Sequence, residues 1–172
     1  MSGAHGRPAV AEEMVSLCSF CSGSGLYGID TREIREVFGA VAPQRVPLAP
    51  EYIGGVLPYR GEVLTTVSLR VLLGLERDSG KRCALVLDDG NEERFGLMVD
   101  EVGGVVTVPR RALEANPSAL DARSRALFGG FYRLPTGLMV RLEPQGLRPS
   151  RLMESGLPEA LNERTGEHRC ER

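Results

Sequence analysis

Tryptophan is absent from these 172 residues, aromatic side chains make up 5%, and only two histidines occur. So few aromatics exclude base-stacking platforms and large aromatic cages. His5 and His168 both sit in polar terminal stretches, so no Ser–His–Asp relay is expected. The chain has no Walker A run, no G-x-S-x-G elbow and no H-E-x-x-H. An excess of one charge is missing too: Lys and Arg total 21 against 23 Asp and Glu, a formal net charge of −2. That balance gives no electrostatic reason to expect nucleic acid or an anionic membrane as partner. No apolar run reaches the roughly 18 residues that span a bilayer, and Met1–Glu13 lacks the apolar stretch of a signal peptide. A cytoplasmic protein with no direct membrane insertion is expected.

What the chain does have is glycine, 21 residues, and 11 prolines, which suits tight turns between short strands. Apolar stretches are short and partly β-branched. They predict strands near 14–21, 26–30, 45–47, 52–57, 62–69, 82–88, 94–100, 104–108, 130–133 and 137–142. Turn signals fall at Gly23-Ser-Gly25, Arg60-Gly61 and Asp88-Asp-Gly90-Asn91. Short helices fit 31–38, 69–73 and 118–127, the first with Thr31 as its N-cap. Residues 1–13 read as a flexible lead-in and 153–172 as a polar tail, leaving one domain over 14–152.

Three patterns invite a chemical reading, and each has a plainer one. Gly23-Ser-Gly-Leu-Tyr-Gly28 matches the dinucleotide fingerprint, which would suit a dinucleotide-binding oxidoreductase. The third glycine of such a site opens a long helix, whereas Leu26-Tyr-Gly-Ile29 reads as a strand, so a glycine-rich hairpin is expected. Cys18-Ser-Phe-Cys21 is C-x-x-C, but positions three apart on a strand face opposite ways and the thiols diverge. Asp88-Asp89 reads as a solvated acidic turn, and Asp100-Glu101 as strand-end neighbours pointing apart. No catalytic residue, cofactor or metal is expected.

A weak internal repeat says more. Tyr27-Gly28-Ile29, Glu36-Val37, Gly54-Gly55 and Val63-Leu-Thr-Thr-Val67 are echoed in order by Phe95-Gly96-Leu97, Glu101-Val102, Gly129-Gly130 and Leu138-Met-Val140. Two sets of about five strands predict an all-β protein of two small packed barrels sharing a seam. Either barrel alone would bury too little surface to be secure, so one cooperative unit is expected.

The least generic segment is Gly54-Gly-Val-Leu-Pro-Tyr-Arg-Gly-Glu-Val-Leu-Thr-Thr-Val-Ser-Leu-Arg70, with Arg60-Gly61 between two apolar strands. With Tyr27-Gly-Ile-Asp30, Ile34-Arg-Glu-Val37, Ile53-Gly-Gly-Val56 and Gly96-Leu-Met-Val-Asp-Glu-Val102, it resembles the CheW adaptor family over roughly 14–150. The resemblance implies two packed five-stranded SH3-like barrels with a few short helices. It also implies a non-catalytic adaptor in chemotaxis signal transduction. Its partners would be the regulatory domain of a CheA-type histidine kinase and the cytoplasmic tip of chemoreceptors, which would recruit it to membrane-bound arrays. By matching positions, Ile34, Glu36, Gly55 and Arg60 are candidates for partner contact or for shaping that surface. Cys83, Ala84, Val102 and Val105 are candidates near the groove between lobes, where an amphipathic receptor helix could dock. Arg60 is expected to pair with Glu36 and so hold its hairpin in one orientation. This chain departs from the family pattern at Pro58-Tyr59, where Asn-Leu is usual, at Thr65, where Pro is common, and at Ser68, where Asp is usual. Those departures leave open a CheW-like scaffold in a non-chemotaxis, CheA-like pathway.

Overall fold

In Ile34-Arg-Glu-Val-Phe38 the branched and aromatic residues fit a helical or a strand period. The structure, a computed structural model that describes residues 10–77, 80–88, 90 and 93–156, takes the strand. Only a single 3₁₀ turn, Thr31–Glu33, precedes it, and its cap is Asp30, whose carboxylate accepts from the Arg32 amide, rather than Thr31. The expected helix over 31–38 is therefore replaced by strand pairing, which suits Ile, Val and Phe on a half-buried surface.

Among the described residues there are ten strands: β1 (Met14–Ser22), β2 (Gly25–Asp30), β3 (Ile34–Val41), β4 (Ile53–Tyr59), β5 (Glu62–Ser68), β6 (Arg82–Leu87), β7 (Phe95–Val99), β8 (Glu101–Pro109), β9 (Phe128–Leu134) and β10 (Gly137–Leu142). The described residues also form four short α-helices, α1 (Leu69–Leu72), α2 (Ala122–Leu127), α3 (Pro144–Leu147) and α4 (Pro149–Glu154), and a second 3₁₀ turn at Arg110–Ala112. The expected strand at 45–47 reduces to an isolated bridge from Gln44 to Val56. The expected helix at 118–127 starts late, at Ala122, because the Asp121 carboxylate caps it by accepting from the Ser124 amide at 2.7 Å. The expected lead-in lies outside the described residues over 1–9, and the polar tail over 157–172; α4 runs two residues past the expected domain end at 152.

The strands form two five-stranded sheets, ordered β8-β1-β2-β10-β9 and β3-β6-β7-β5-β4. Adding five to each strand number of the first order, and counting past ten from one again, returns the second. The repeat is real, but each lobe takes two strands from one half of the chain and three from the other. One lobe is therefore continuous, β3 to β7, and the other is assembled from β1 and β2 together with β8, β9 and β10 from the far end of the chain. Within the ladders both sheets stay open at their end strands and are SH3-like in form.

This exchange makes the core common property. The largest apolar cluster joins Phe20, Tyr27 and Ile29 of one lobe to Val67, Leu85, Leu87 and Leu97 of the other, with Leu147 and Leu152 beneath them. Each lobe adds a small centre of its own, around Leu17, Tyr132 and Met139 in one and around Tyr59, Leu64 and Val86 in the other. Each fully buried leucine contributes about 1.5–3 kcal/mol, so much of the molecule's stability resides where the lobes meet.

Candidate protein-docking site

Tyr59 and Glu62 are the last facing pair of the β4–β5 ladder, so Arg60 and Gly61 alone make the turn. Both are left-handed, with φ of 49° and 80°. A two-residue turn of this kind matches the twist of its strands and favours Asn or Gly at its first position. Arginine there is strained by about 1 kcal/mol or more. Its side chain is 72% exposed, yet Nη2 donates to Glu36 Oε2 at 3.2 Å, as the sequence reading expected. Glu36 lies on β3, whose ladder partner is β6, so the pair ties a hairpin tip to the far edge of the same sheet. An exposed pair of this kind contributes about 0–1 kcal/mol; its effect is on orientation.

Beneath the tip the Tyr59 ring is only 5% exposed. Arg60 lies over it with Cζ 5.3 Å from the centroid, Arg94 at 5.8 Å, and Phe38 meets it edge-on at 6.0 Å. Arg94 is held in turn by Asp88, through Nε at 3.1 Å and Nη2 at 3.0 Å, and approaches Glu62 at 3.9 Å. A backbone bond from Gly90, followed by the bond from Arg94, holds the Asp88 carboxyl below its usual range. Sequence reading missed this group: Tyr59 was visible as a departure, but its neighbours Phe38 and Arg94 are brought to it only by the sheet.

The other candidates occupy different settings. Ile34 begins β3 and packs against the shared core. Gly55 has φ +133°, and a Cβ there would stand 2.4 Å from the Gln44 carbonyl oxygen, so the site admits no side chain. Cys83 on β6 and Val102 on β8 are partly buried against the shared core, and those two strands approach each other across the lobes. Val105, further along β8, is 63% exposed. Ala84 faces Phe38 and Met98 across its ladders and has no exposed surface, so it can shape the region but not touch a partner in this conformation. The seam itself is filled by the shared core rather than left as an empty groove.

The departures from the family pattern are absorbed locally. Pro58 lies on β4, an edge strand, where a missing amide is tolerated. Ser68 caps α1 by accepting from the Val71 amide at 3.4 Å, the service an aspartate would also give. Gly23-Ser24 forms the β1–β2 turn and Gly28 lies within β2 opposite Ser19. With no helix opening at Gly28, the dinucleotide reading loses its physical basis. Cys18 keeps a free thiol that burial pushes up in pKa, so the C-x-x-C residues are not bonded to each other.

Asp100, set aside in the sequence reading, proves to be a junction. Its Oδ2 accepts from the Gly23 amide at 2.8 Å and from Arg70 Nη1 at 2.6 Å, joining the β1–β2 turn of one lobe to α1 of the other. A polar cleft opens where β2 hands over to β3, lined by Asp30, Arg32, Glu33, Arg35, Asp88 and Arg141.

Residues 16–150 match the CheW-like domain family. The chemotaxis protein CheW of Treponema pallidum (strain Nichols) is 23% identical over 151 residues, covering 85% of this chain and 89% of that protein. The CheW of Rhizobium meliloti (strain 1021) is 25% identical over 140 residues, covering 81% and 90%. The crystal structure of the scaffolding protein TtCheW from Thermoanaerobacter tengcongensis superposes with a TM-score of 0.67 at 21% identity, covering 76% of this chain and 90% of that one. With its paired SH3-like sheets and its arginine-tipped hairpin, the chain belongs to the CheW-like domain family of chemotaxis adaptor scaffolds.

Proposed function

We propose that this chain is a non-catalytic adaptor that couples the cytoplasmic tips of chemoreceptors to the regulatory domain of a CheA-type histidine kinase. The observation that carries the reading is Arg60. A strained, exposed cation is held at a hairpin tip by Glu36, in a position where a glycine or asparagine would be easier to accommodate. Strain kept at an exposed, ordered side chain points to function.

In this reading Arg60 and Glu36 meet the partner directly, Gly55 keeps β4 close to the Gln44 backbone, and Ile34 sets the start of β3 on the core. The receptor helix would lie along the surface where Cys83, Val102 and Val105 emerge, with Ala84 packing behind them. Such a helix presents apolar residues at i, i+3 and i+4 spacing, and a few central anchors would supply most of the affinity. Among the described residues no helix is long and apolar enough to cross a membrane, and receptor binding would bring the protein to the array.

The test is a reconstituted receptor–kinase assay. Arg60→Glu is expected to lower kinase coupling at least 10-fold, and adding Glu36→Arg is expected to recover part of it by restoring the pair. Unchanged coupling in Arg60→Glu would overturn the docking role. Tyr59 in place of the family's leucine favours one second reading, the same scaffold serving a CheA-like kinase of another pathway. Capturing the kinase from native cells and identifying its receptor separates the two.

A further inference from the structure

The ring of Tyr59 is buried although it belongs to the last residue before an exposed turn, and two guanidinium groups lie over it. Its edge contact with Phe38 anchors it to β3, and its contact with Arg94 anchors it to the β6–β7 side of the lobe. Arg94 does not move freely, because the Asp88 carboxylate receives two of its donors. The ring is thus braced from β3 and from the residue just before β7, and Arg60 rests on the braced surface.

We propose that Tyr59 is the positioning residue for Arg60: it holds the guanidinium flat enough to offer its remaining donors to a carboxylate on the protein partner. This rests on the docking role proposed for the hairpin and deepens it. An arginine fork matches a carboxylate with two parallel bonds only if its plane is set beforehand, and a long side chain left free loses affinity to the entropy of setting it. Glu36 takes one bond, at 3.2 Å from Nη2. That single contact fixes a distance but leaves rotation about the bond, and the aromatic face removes that freedom. The attraction comes from the ring's negative face, which leucine at this position would lack while also leaving part of the ring's volume unfilled. Like charges at Arg60 and Arg94 are offset by the carboxylates at Glu36, Asp88 and Glu62, so both cations can share one ring.

Calorimetric titration of the full chain with the purified kinase regulatory domain tests the assignment. The set comprises wild type, Arg60→Ala, Tyr59→Leu, Tyr59→Phe and Tyr59→Leu combined with Arg60→Ala. Tyr59→Leu is expected to weaken binding about 3- to 10-fold, while Tyr59→Phe, which keeps the ring, binds like wild type. In the Arg60→Ala background, Tyr59→Leu is expected to have no further effect. A merely structural role would weaken binding in both backgrounds, so persistence of the loss beside Arg60→Ala overturns the proposal. So does wild-type affinity in Tyr59→Leu while Arg60→Ala is weakened, a result that leaves the docking role standing. If Arg60→Ala itself binds like wild type, the docking role fails and the positioning role fails with it.

Discussion

At the scale of single residues, the carboxylates of the polar cleft titrate in opposite directions. Asp30 is buried and receives three bonds from Arg32: the amide at 3.0 Å, Nε at 3.0 Å and Nη2 at 2.6 Å. The side-chain bond from Arg32 is the main reason that its carboxyl lies below the ordinary 3.8. Glu33, three residues on, is raised above the ordinary 4.5, first by burial and then by the charges of Asp30 and Glu143. A lowered acid stabilises the fold above its unfolded pKa, and that contribution fades as pH falls through the folded value. A raised acid has the reverse sign: its contribution is complete below 4.5 and is lost as pH rises through the folded value. Asp30→Asn should therefore lower the melting temperature at pH 7, with the deficit shrinking only in strong acid. Glu33→Gln should raise it at pH 7, with the gain vanishing toward pH 4. Thermal melts of both variants across that range check the signs; a gain from Glu33→Gln that grows on acidification would refute the assignment.

At the scale of elements, the two lobes solve one problem twice. Gly55 on β4 and Gly130 on β9 have φ of +133° and +122°, and a Cβ at either would meet a carbonyl oxygen at 2.4 Å, from Gln44 or from Glu114. Each is followed by the residue that makes the isolated bridge, Val56 to Gln44 and Phe131 to Glu114. The glycine pairs noticed as a sequence echo are thus equivalent kinks that let a connecting segment close over the strand. Gly55→Ala and Gly130→Ala should each cost about 2–4 kcal/mol, combining a strained backbone with a clash against backbone that cannot withdraw. Urea denaturation measures both, and a loss at only one site would break the equivalence. β3 teaches the opposite lesson. Ile34, Val37 and Phe38 have helical spacing as well as strand character, and only the ladder with β6 decides between them.

At the scale of the whole molecule, exchange of strands between the halves makes independent unfolding of the lobes unfavourable, because the largest core cluster draws on both. Asp100 adds a polar fastening across the same junction, tying Gly23 to Arg70. Asp100→Ala would leave the half-buried Arg70 without that partner and should cost about 1–3 kcal/mol. Unfolding should nonetheless remain a single transition. With no tryptophan to dominate the signal, fluorescence of Tyr27 and Tyr132 in one lobe and Tyr52 and Tyr59 in the other reports on both lobes. Coincidence of that signal with circular dichroism would establish one unit; two separated transitions would show that the lobes unfold independently.

Local chemistry was enough to determine nine of the ten strands approximately, the hairpin turns at Gly23 and Arg60, and the twofold plan of the chain. These depend on turn residues and a two-residue alternation, both written in neighbouring positions. The Arg60–Glu36 pair was legible too, through the family resemblance. Which strands share a sheet, which side chains brace Arg60 and what Asp100 joins were decided only by the tertiary structure. Those contacts link residues tens of positions apart, such as Tyr59 with Arg94 and Gly23 with Asp100. Nothing in the local pattern specifies them, because a strand's free edge can pair with any complementary neighbour until the shared core selects one.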